Sequence, residues 1–424
     1  MRSPILDYLD TVITETAHVT SGAVADYIPE LASAPTDRAA VALCTVNGVV
    51  YAAGDVDVDF SIQSMSKPFA YALALADRGI DDVVARVGVE PSGDAFNELS
   101  LDPETGTPRN PMINAGAIAT HALIDTEDAP AVDRVLDYFS RMAQREIRID
   151  EEVAASELAT ADRNLGLAYL LHSSGVLEAE PRAAVTGYIR QCAASVNVRD
   201  LALMAATLAN NGVQPNTGER MLSRVENRQV LSVMAACGMY DAAGDWFTNV
   251  GIPAKSGVAG GIIGVLPGQV GLAVFSPRLD SHGNSARGVA MMEMLSEDMG
   301  LHLMDVGRPG RTSLRETQLA TVEGVDATVY VLQGDLVLSS IEALIHEIVS
   351  NPPTTPLVVF DMGRVDEVLP VARRTSSAMA TKLHDAGHRV VVIDPEETLT
   401  GFTDDQGRPV ELWTAERLAR GISR

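Results

Sequence analysis

The chain has 424 residues, with 32 Lys and Arg against 57 Asp and Glu and a formal net charge of -25. That balance excludes the clustered cations of a phosphate-binding surface, and with it nucleic acid as a partner. The length allows two or three domains with sizeable cores, and the three cysteines, Cys44, Cys192 and Cys237, are far apart among apolar neighbours and read as reduced core thiols.

Residues 1–8 carry no apolar signal core, and no apolar run reaches the ~18 residues of a membrane helix, so the expected compartment is the cytoplasm with no membrane partner. Helical periodicity covers residues 5–19, and Tyr27-Ile-Pro-Glu-Leu31 follows as a turning segment. Residues 39–45 and 49–53 flank Asn47-Gly48 and predict a two-residue hairpin. A helix then begins near Ser64 and runs to about Asp77, with Phe69, Leu73 and Ala76 on one face.

From about residue 68 to 245 the pattern is mostly helical, with Ala-rich amphipathic segments at 131–147, 161–174, 181–193, 199–210 and 227–237. Strand character returns at 261–266 and 270–275 around Pro267-Gly268, and a helix from Ser285 to about Met299 closes this part. Residues 305–323 are polar, contain Gly307, Pro309 and Gly310, and read as a linker. Beyond it, strands at 327–332, 357–361 and 389–393 alternate with helices at 339–349, 371–386 and 414–419, the rhythm of a small α/β domain at 324–424.

The chemistry starts at Gln63-Ser64-Met65-Ser66-Lys67-Pro68, where Ser64 and Lys67 stand one helical turn apart. A serine hydroxyl is a weak nucleophile, and a lysine that loses its proton through burial can accept the serine's. The helix N-terminus adds free N–H groups and a positive dipole end for a developing oxyanion. Ser-x-x-Lys alone is common by chance, but Lys255-Ser256-Gly257 at the start of the returning sheet is a second motif in the order found on the β-lactamase-like fold.

Seven ordered blocks sharpen the reading: Tyr27-Ile-Pro-Glu-Leu, Gln63-Ser64-Met-Ser-Lys67-Pro, Asn110-Pro-Met-Ile-Asn114-Ala-Gly-Ala, Ser156-Glu157-x-x-Thr-x-Asp-Arg-Asn164, Tyr188-x-x-Gln191-Cys192, Cys237-Gly-Met-Tyr240-Asp and Pro253-Ala-Lys-Ser-Gly-Val258. Through them residues 27–296 resemble the serine-dependent glutaminases of bacteria and mitochondria. The resemblance implies an α+β β-lactamase-like domain over 1–304, without metal or organic cofactor, that hydrolyses L-glutamine to L-glutamate and ammonia and assembles as a dimer or tetramer. It also implies roles. Ser64 is the nucleophile, Lys67 its activator and Tyr240 the phenol for proton transfer, while the backbone N–H groups of Ser64 and Val258 form the oxyanion hole. Glu157 faces the substrate ammonium, with Asn114, Asn164, Tyr188 and Tyr27 as neutral partners for carboxylate and amide. Gln63 and Arg163 read as structural support. Taken singly, Asn114 fits a turn, Glu157 and Asn164 fit caps or surface, and Tyr188 fits the core.

The C-terminal part resembles the STAS domain through Leu332-Gln-Gly-Asp-Leu336, Val358-Val-Phe-Asp361-Met-Gly-Arg-Val365 and Gly387-His-Arg-Val-Val-Val392. Where that family keeps a phosphorylatable serine, this chain has Asp366-Glu-Val-Leu-Pro370-Val-Ala, and Ser376 and Ser377 lie too far along, so docking, oligomerisation or small-ligand binding is favoured over a phosphoswitch. Two other functions share these features: a β-lactam-interacting enzyme, which would carry a signal peptide, and a non-enzymatic glutamine sensor signalling through the STAS-like domain.

Overall fold

The structure, a computed structural model, describes residues 3–92, 100–126, 128–304, 313–336, 338–368 and 370–414. The chain divides into two compact units, Met1–Asp305 and Val306–Arg424. In the first, strands β1 (Ala40–Thr45) and β2 (Val50–Gly54) form a hairpin. Short strands β3 (Phe60–Ser61), β4 (Arg148–Ile149) and β5 (Ala194–Val196) make a small separate sheet. Strands β6 (Ala254–Gly257), β7 (Gly261–Leu266) and β8 (Val270–Phe275) return to the hairpin and complete an antiparallel sheet ordered β2-β1-β8-β7-β6.

Both faces of that sheet are covered, which explains why its strands read as almost unbroken apolar runs. Ala40, Ala42 and Cys44 of β1 with Ala273 and Phe275 of β8 face a helical lobe, while Val41, Leu43, Leu272 and Val274 face the opposite side. The lobe comprises α3 (Ser66–Arg78), α4 (Ile80–Val84), α5 (Asn114–Ile124), α6 (Ala131–Ala143), α7 (Glu151–Ala159), α8 (Asp162–Ser173), α9 (Pro181–Cys192), α10 (Val198–Ala209) and α11 (Arg224–Cys237), while α12 (Ala243–Asn249) puts Trp246 into the core on the opposite face. The helices α1 (Pro4–Glu15) and α13 (Ala286–Met299) cover the other face, and α2 (Pro29–Ala32) is a single turn. Helix α10 lies directly on β8: a Cβ at Gly271 would stand 2.2 Å from the Ala206 backbone nitrogen, so only glycine admits that approach. Helix α3 is enclosed on all sides, and every residue from Ser66 to Leu75 is buried.

The expected elements recur with local corrections. The first hairpin is not a two-residue turn: Gly48 N–H donates to Thr45 O, and Gly48 alone takes a positive φ, 82°, so the loop is a type I turn closed by glycine. Helix α6 stops at Ala143 because Gln144 adopts the left-handed region. All three cysteines are buried thiols.

The second unit holds a five-stranded sheet of β9 (Leu314–Val322), β10 (Val325–Leu332), β11 (Leu357–Asp361), β12 (Arg389–Ile393) and β13 (Glu411–Trp413), ordered β13-β12-β11-β10-β9. Strands β10 to β13 run parallel, with α14 (Leu338–Ser350) and α15 (Pro370–Asp385) between them in the chain. The linker assigned to 305–323 is therefore too long. Its second half is β9, paired antiparallel with β10 through a two-residue turn at Glu323 and Gly324, both at positive φ. Its polar sequence belongs to an edge strand wet on both faces, where charged residues are tolerated. The helix expected at 414–419 lies, beyond Thr414, outside the described residues.

Candidate active site

Ser64 sits in a single 3-10 turn, Gln63–Met65, that leads straight into α3. No side chain caps this helix; the 3-10 turn occupies its leading donors, with Met65 N–H donating to Ile62 O and Ser66 N–H to Gln63 O. Gln63 holds φ at 49°, a left-handed conformation that costs a non-glycine residue about 1–3 kcal/mol. Strand β6 braces the turn from behind: a Cβ at Gly257 would lie 3.0 Å from Ile62 O, so Val258 follows at the point where β6 meets the Ser64 turn.

Lys67 is 1 % exposed, and its Nζ donates to Asn114 Oδ1 at 2.8 Å and to Met112 O at 3.2 Å. Burial pulls its pKa down to about 8, against smaller opposing pulls from Cys192 and Glu157. At pH 7 the neutral fraction is then about one in ten, against roughly one in three thousand for a solvated lysine. Asn114 opens α5, because the residues before it are held by Asn110, whose Oδ1 accepts from Met112 N and whose Nδ2 donates to Glu90 O. Asn114 Nδ2 donates to Asn164 Oδ1 at 3.1 Å, and the Tyr188 hydroxyl donates to Asn114 Oδ1 at 3.2 Å.

Tyr240 is the second residue of the site at positive φ, 57°. Its hydroxyl is bonded to Ser64 and to Ser256 O, the latter at 3.2 Å, and burial raises its pKa. Lys255 lies beneath its ring, Nζ 3.9 Å from the centroid, and donates to Ser256 O at 2.9 Å. Burial and the neighbouring Lys67 push Lys255 well below the ordinary lysine range. The motif Lys255-Ser256-Gly257 carried a signal for this residue, but no role in the site was read from it.

In front of Ser64 is a cavity with about 180 Å³ of solvent space, lined by Tyr27, Gln63, Ser64, Asn114, Glu157, Thr160, Arg163, Asn164, Tyr188 and Val258. Lys67 and Tyr240 stand behind Ser64 and do not line it. Gln63 and Arg163 do line it, beyond the supporting role expected of them, and Gln63 Nε2 donates to Glu157 Oε2 at 3.3 Å. Tyr27 is half exposed at the rim, yet burial of its hydroxyl, with Tyr240 and Glu157 nearby, raises its pKa. Glu157 is half-buried on the last turn of α7, and desolvation lifts its pKa to about 7 despite Gln63 and Lys67. Such a carboxylate awaits a cation, and a ligand ammonium would restore its charge. The arrangement can therefore attack a small polar ligand that brings its own ammonium, through a hydroxyl backed by an amine able to lose its proton.

A family model described as Glutaminase matches residues 22–304. A glutaminase of Corynebacterium glutamicum is 51% identical over 410 residues, covering 96% of this chain and 98% of that protein. A glutaminase of Trichormus variabilis is 48% identical over 304 residues, 72% of this chain and 91% of its own. Among solved structures, Mglu superposes with a TM-score of 0.84 at 48% identity, covering 94% of this chain and all of that one, and Mglu has also been crystallised in its glutamate form. A probable glutaminase from Bacillus subtilis complexed with 6-diazo-5-oxo-L-norleucine matches 72% of this chain and 98% of its own with a TM-score of 0.65 at 32% identity.

The raised pKa of Glu157 makes a stability prediction. Below pH 4.5 the carboxyl is protonated folded and unfolded, and the residue is neutral for stability; above about 7 it is ionised in both, and its burial destabilises the fold. Glu157→Gln should raise the thermal midpoint at pH 8 and leave it unchanged near pH 4. An equal shift at both pH values would contradict the assignment of burial as the cause.

Proposed function

The chain belongs to the glutaminase family, and we propose that it carries out the reaction through the Ser64 cavity. It hydrolyses the side-chain amide of L-glutamine to L-glutamate and ammonia. The observation that carries the site assignment is one cavity with Ser64 at its floor, buried Lys67 and Tyr240 behind it, and a desolvated carboxylate among neutral donors in front.

Glutamine enters with its ammonium toward Glu157, which ionises on binding, and with its carboxylate and amide toward Asn114, Asn164, Tyr188 and Tyr27. Neutral Lys67 accepts the Ser64 proton as Oγ attacks the amide carbon. The backbone N–H groups of Ser64 and Val258 hold the oxyanion. Tyr240, bonded to Ser64, delivers a proton to the departing nitrogen, which leaves as ammonia and creates a γ-glutamyl ester on Ser64. Water then attacks the ester: the Tyr240 phenolate takes its proton, the Lys67 ammonium returns the serine's proton to Oγ, and glutamate is released. Lys255 supports this from beneath the Tyr240 ring. A substrate lacking the ammonium leaves Glu157 buried and unmatched, so selection rests on satisfied polar groups.

The proposal includes a cytoplasmic enzyme assembled as a dimer or tetramer; among the described residues no helix is long and apolar enough to cross a membrane. It also reads residues 324–424 as a STAS-like domain for docking, oligomerisation or small-ligand binding. Its support is the alternation of parallel strands and helices, and a matched family region that ends at residue 304. Non-hydroxyl residues from Asp366 to Ala372 favour docking over a phosphoswitch.

Ser64→Ala should lower ammonia release from L-glutamine by at least about a thousandfold while glutamine still protects the protein thermally; near wild-type turnover would remove Ser64 from the mechanism. Residues 1–305 alone should retain kcat within about threefold of the full chain, as expected of a domain with its own core. A folded but inactive 1–305 would make the C-terminal unit part of the catalytic machinery.

A further inference from the structure

A line of buried polar side chains that the reaction does not use runs behind the nucleophile turn. Gln191 is fully buried on α9, and its Nε2 donates to Ser66 Oγ at 3.0 Å. Its Oε1 lies 2.8 Å from Nδ1 of His121 on α5, itself 2 % exposed. The amide and the imidazole thus form one buried hydrogen bond, with the donor set by the tautomer. Burial holds His121 down to about 4, so the imidazole stays neutral through ordinary pH. Ser66 is also bonded to the Cys192 thiol, which in turn meets Tyr188.

The spacing gives this line its meaning. His121 lies seven residues after Asn114, two turns along the same stripe of α5, and Gln191 lies three residues after Tyr188 on one face of α9. Ser66 stands between Ser64 and Lys67 at the first turn of α3. One buried amide thus ties together the three elements that present Ser64 and Lys67, Asn114, and Tyr188. Gly187 is shaped to this purpose: a Cβ there would lie 2.3 Å from His121 Nε2, so α9 carries no side chain where the imidazole must sit.

We propose that Gln191 is a positioning residue for the hydrolysis, holding the Ser64/Lys67 turn in register with Asn114 and Tyr188 through its bond to Ser66, and that His121 anchors the other end of the Gln191 amide. Neither residue touches substrate. The inference rests on the assignment of Ser64 and Lys67 made above.

The test is steady-state kinetics on the full chain with Gln191→Met, Ser66→Ala, Gly187→Ala and the double variants, each checked for folding by circular dichroism and thermal midpoint. Gln191→Met should lower kcat by roughly tenfold to a hundredfold while KM stays within about twofold, since a misplaced reacting group loses rate before it loses binding. Ser66→Ala and Gly187→Ala should each lower kcat in the wild-type background and have no further effect in the Gln191→Met background, the signature of residues acting through one bond. If Gln191→Met fails to fold, Gly187→Ala, which leaves Gln191 in place, reads the same kcat-against-KM split. Wild-type kcat in a folded Gln191→Met or Gly187→Ala variant, or losses that multiply in the double variants, would overturn the proposal. Ser64→Ala separates this failure from failure of the underlying reading, since turnover retained in Ser64→Ala overturns the assignment of the nucleophile instead.

Discussion

The dehydration of one lysine governs the site. A lysine in water holds its proton far too tightly to accept another from serine, and no neighbouring carboxylate would help, because it would hold the proton more tightly still. Enclosing Lys67 in α3, a helix buried along ten successive residues, weakens that hold. The two bonds to Asn114 and Met112 satisfy the ammonium without supplying a full counter-charge. Glu157, the carboxylate that acts on Lys67 among the described residues, is itself desolvated and pushed toward neutrality. Both groups are therefore kept near the pH at which each can exchange a proton, and both burdens are carried by the stability of the surrounding fold.

That enclosure needs the architecture around it. The antiparallel sheet is covered on both faces, α10 presses onto β8 at Gly271, and the lobe wraps α3 from the sides. The sheet also supplies β6, which brings Val258 to the cavity and Lys255 to the back of the Ser64 turn. Local strain concentrates here: Gln63 and Tyr240, flanking Ser64 in space, both adopt left-handed backbone, which costs energy that the rigid scaffold supplies.

Much of this was legible in the sequence. The helix at Ser64, the returning hairpin at Pro267-Gly268 and the amphipathic helices of the lobe follow from periodicity, because each buries one stripe or alternate residues. The seven blocks contain every cavity residue, but Gln63 and Arg163 read there as support and Thr160 as a motif position without a role, because nothing in their spacing shows that they face the ligand space. What stayed hidden depends on tertiary contact. Lys255 became significant only when Tyr240 was seen to lie over it, and the link from His121 to Ser66 joins residues 55 positions apart through a third, Gln191. Strand β9 escaped notice because an edge strand wet on both faces has the composition of a linker, and its Glu323-Gly324 turn lacks the Asn-Gly signal present at residues 47 and 48.

The central claim is that Lys67 is neutral often enough at physiological pH to take the serine proton. Titration of its Nζ by ¹⁵N NMR, alongside kcat/KM for L-glutamine from pH 5 to 10, tests it most directly. The account predicts a Lys67 titration near pH 8, with kcat/KM rising as the pH climbs and levelling only above that value. A Lys67 that stays an ammonium above pH 10, with kcat/KM flat between about pH 6 and 9, would contradict it.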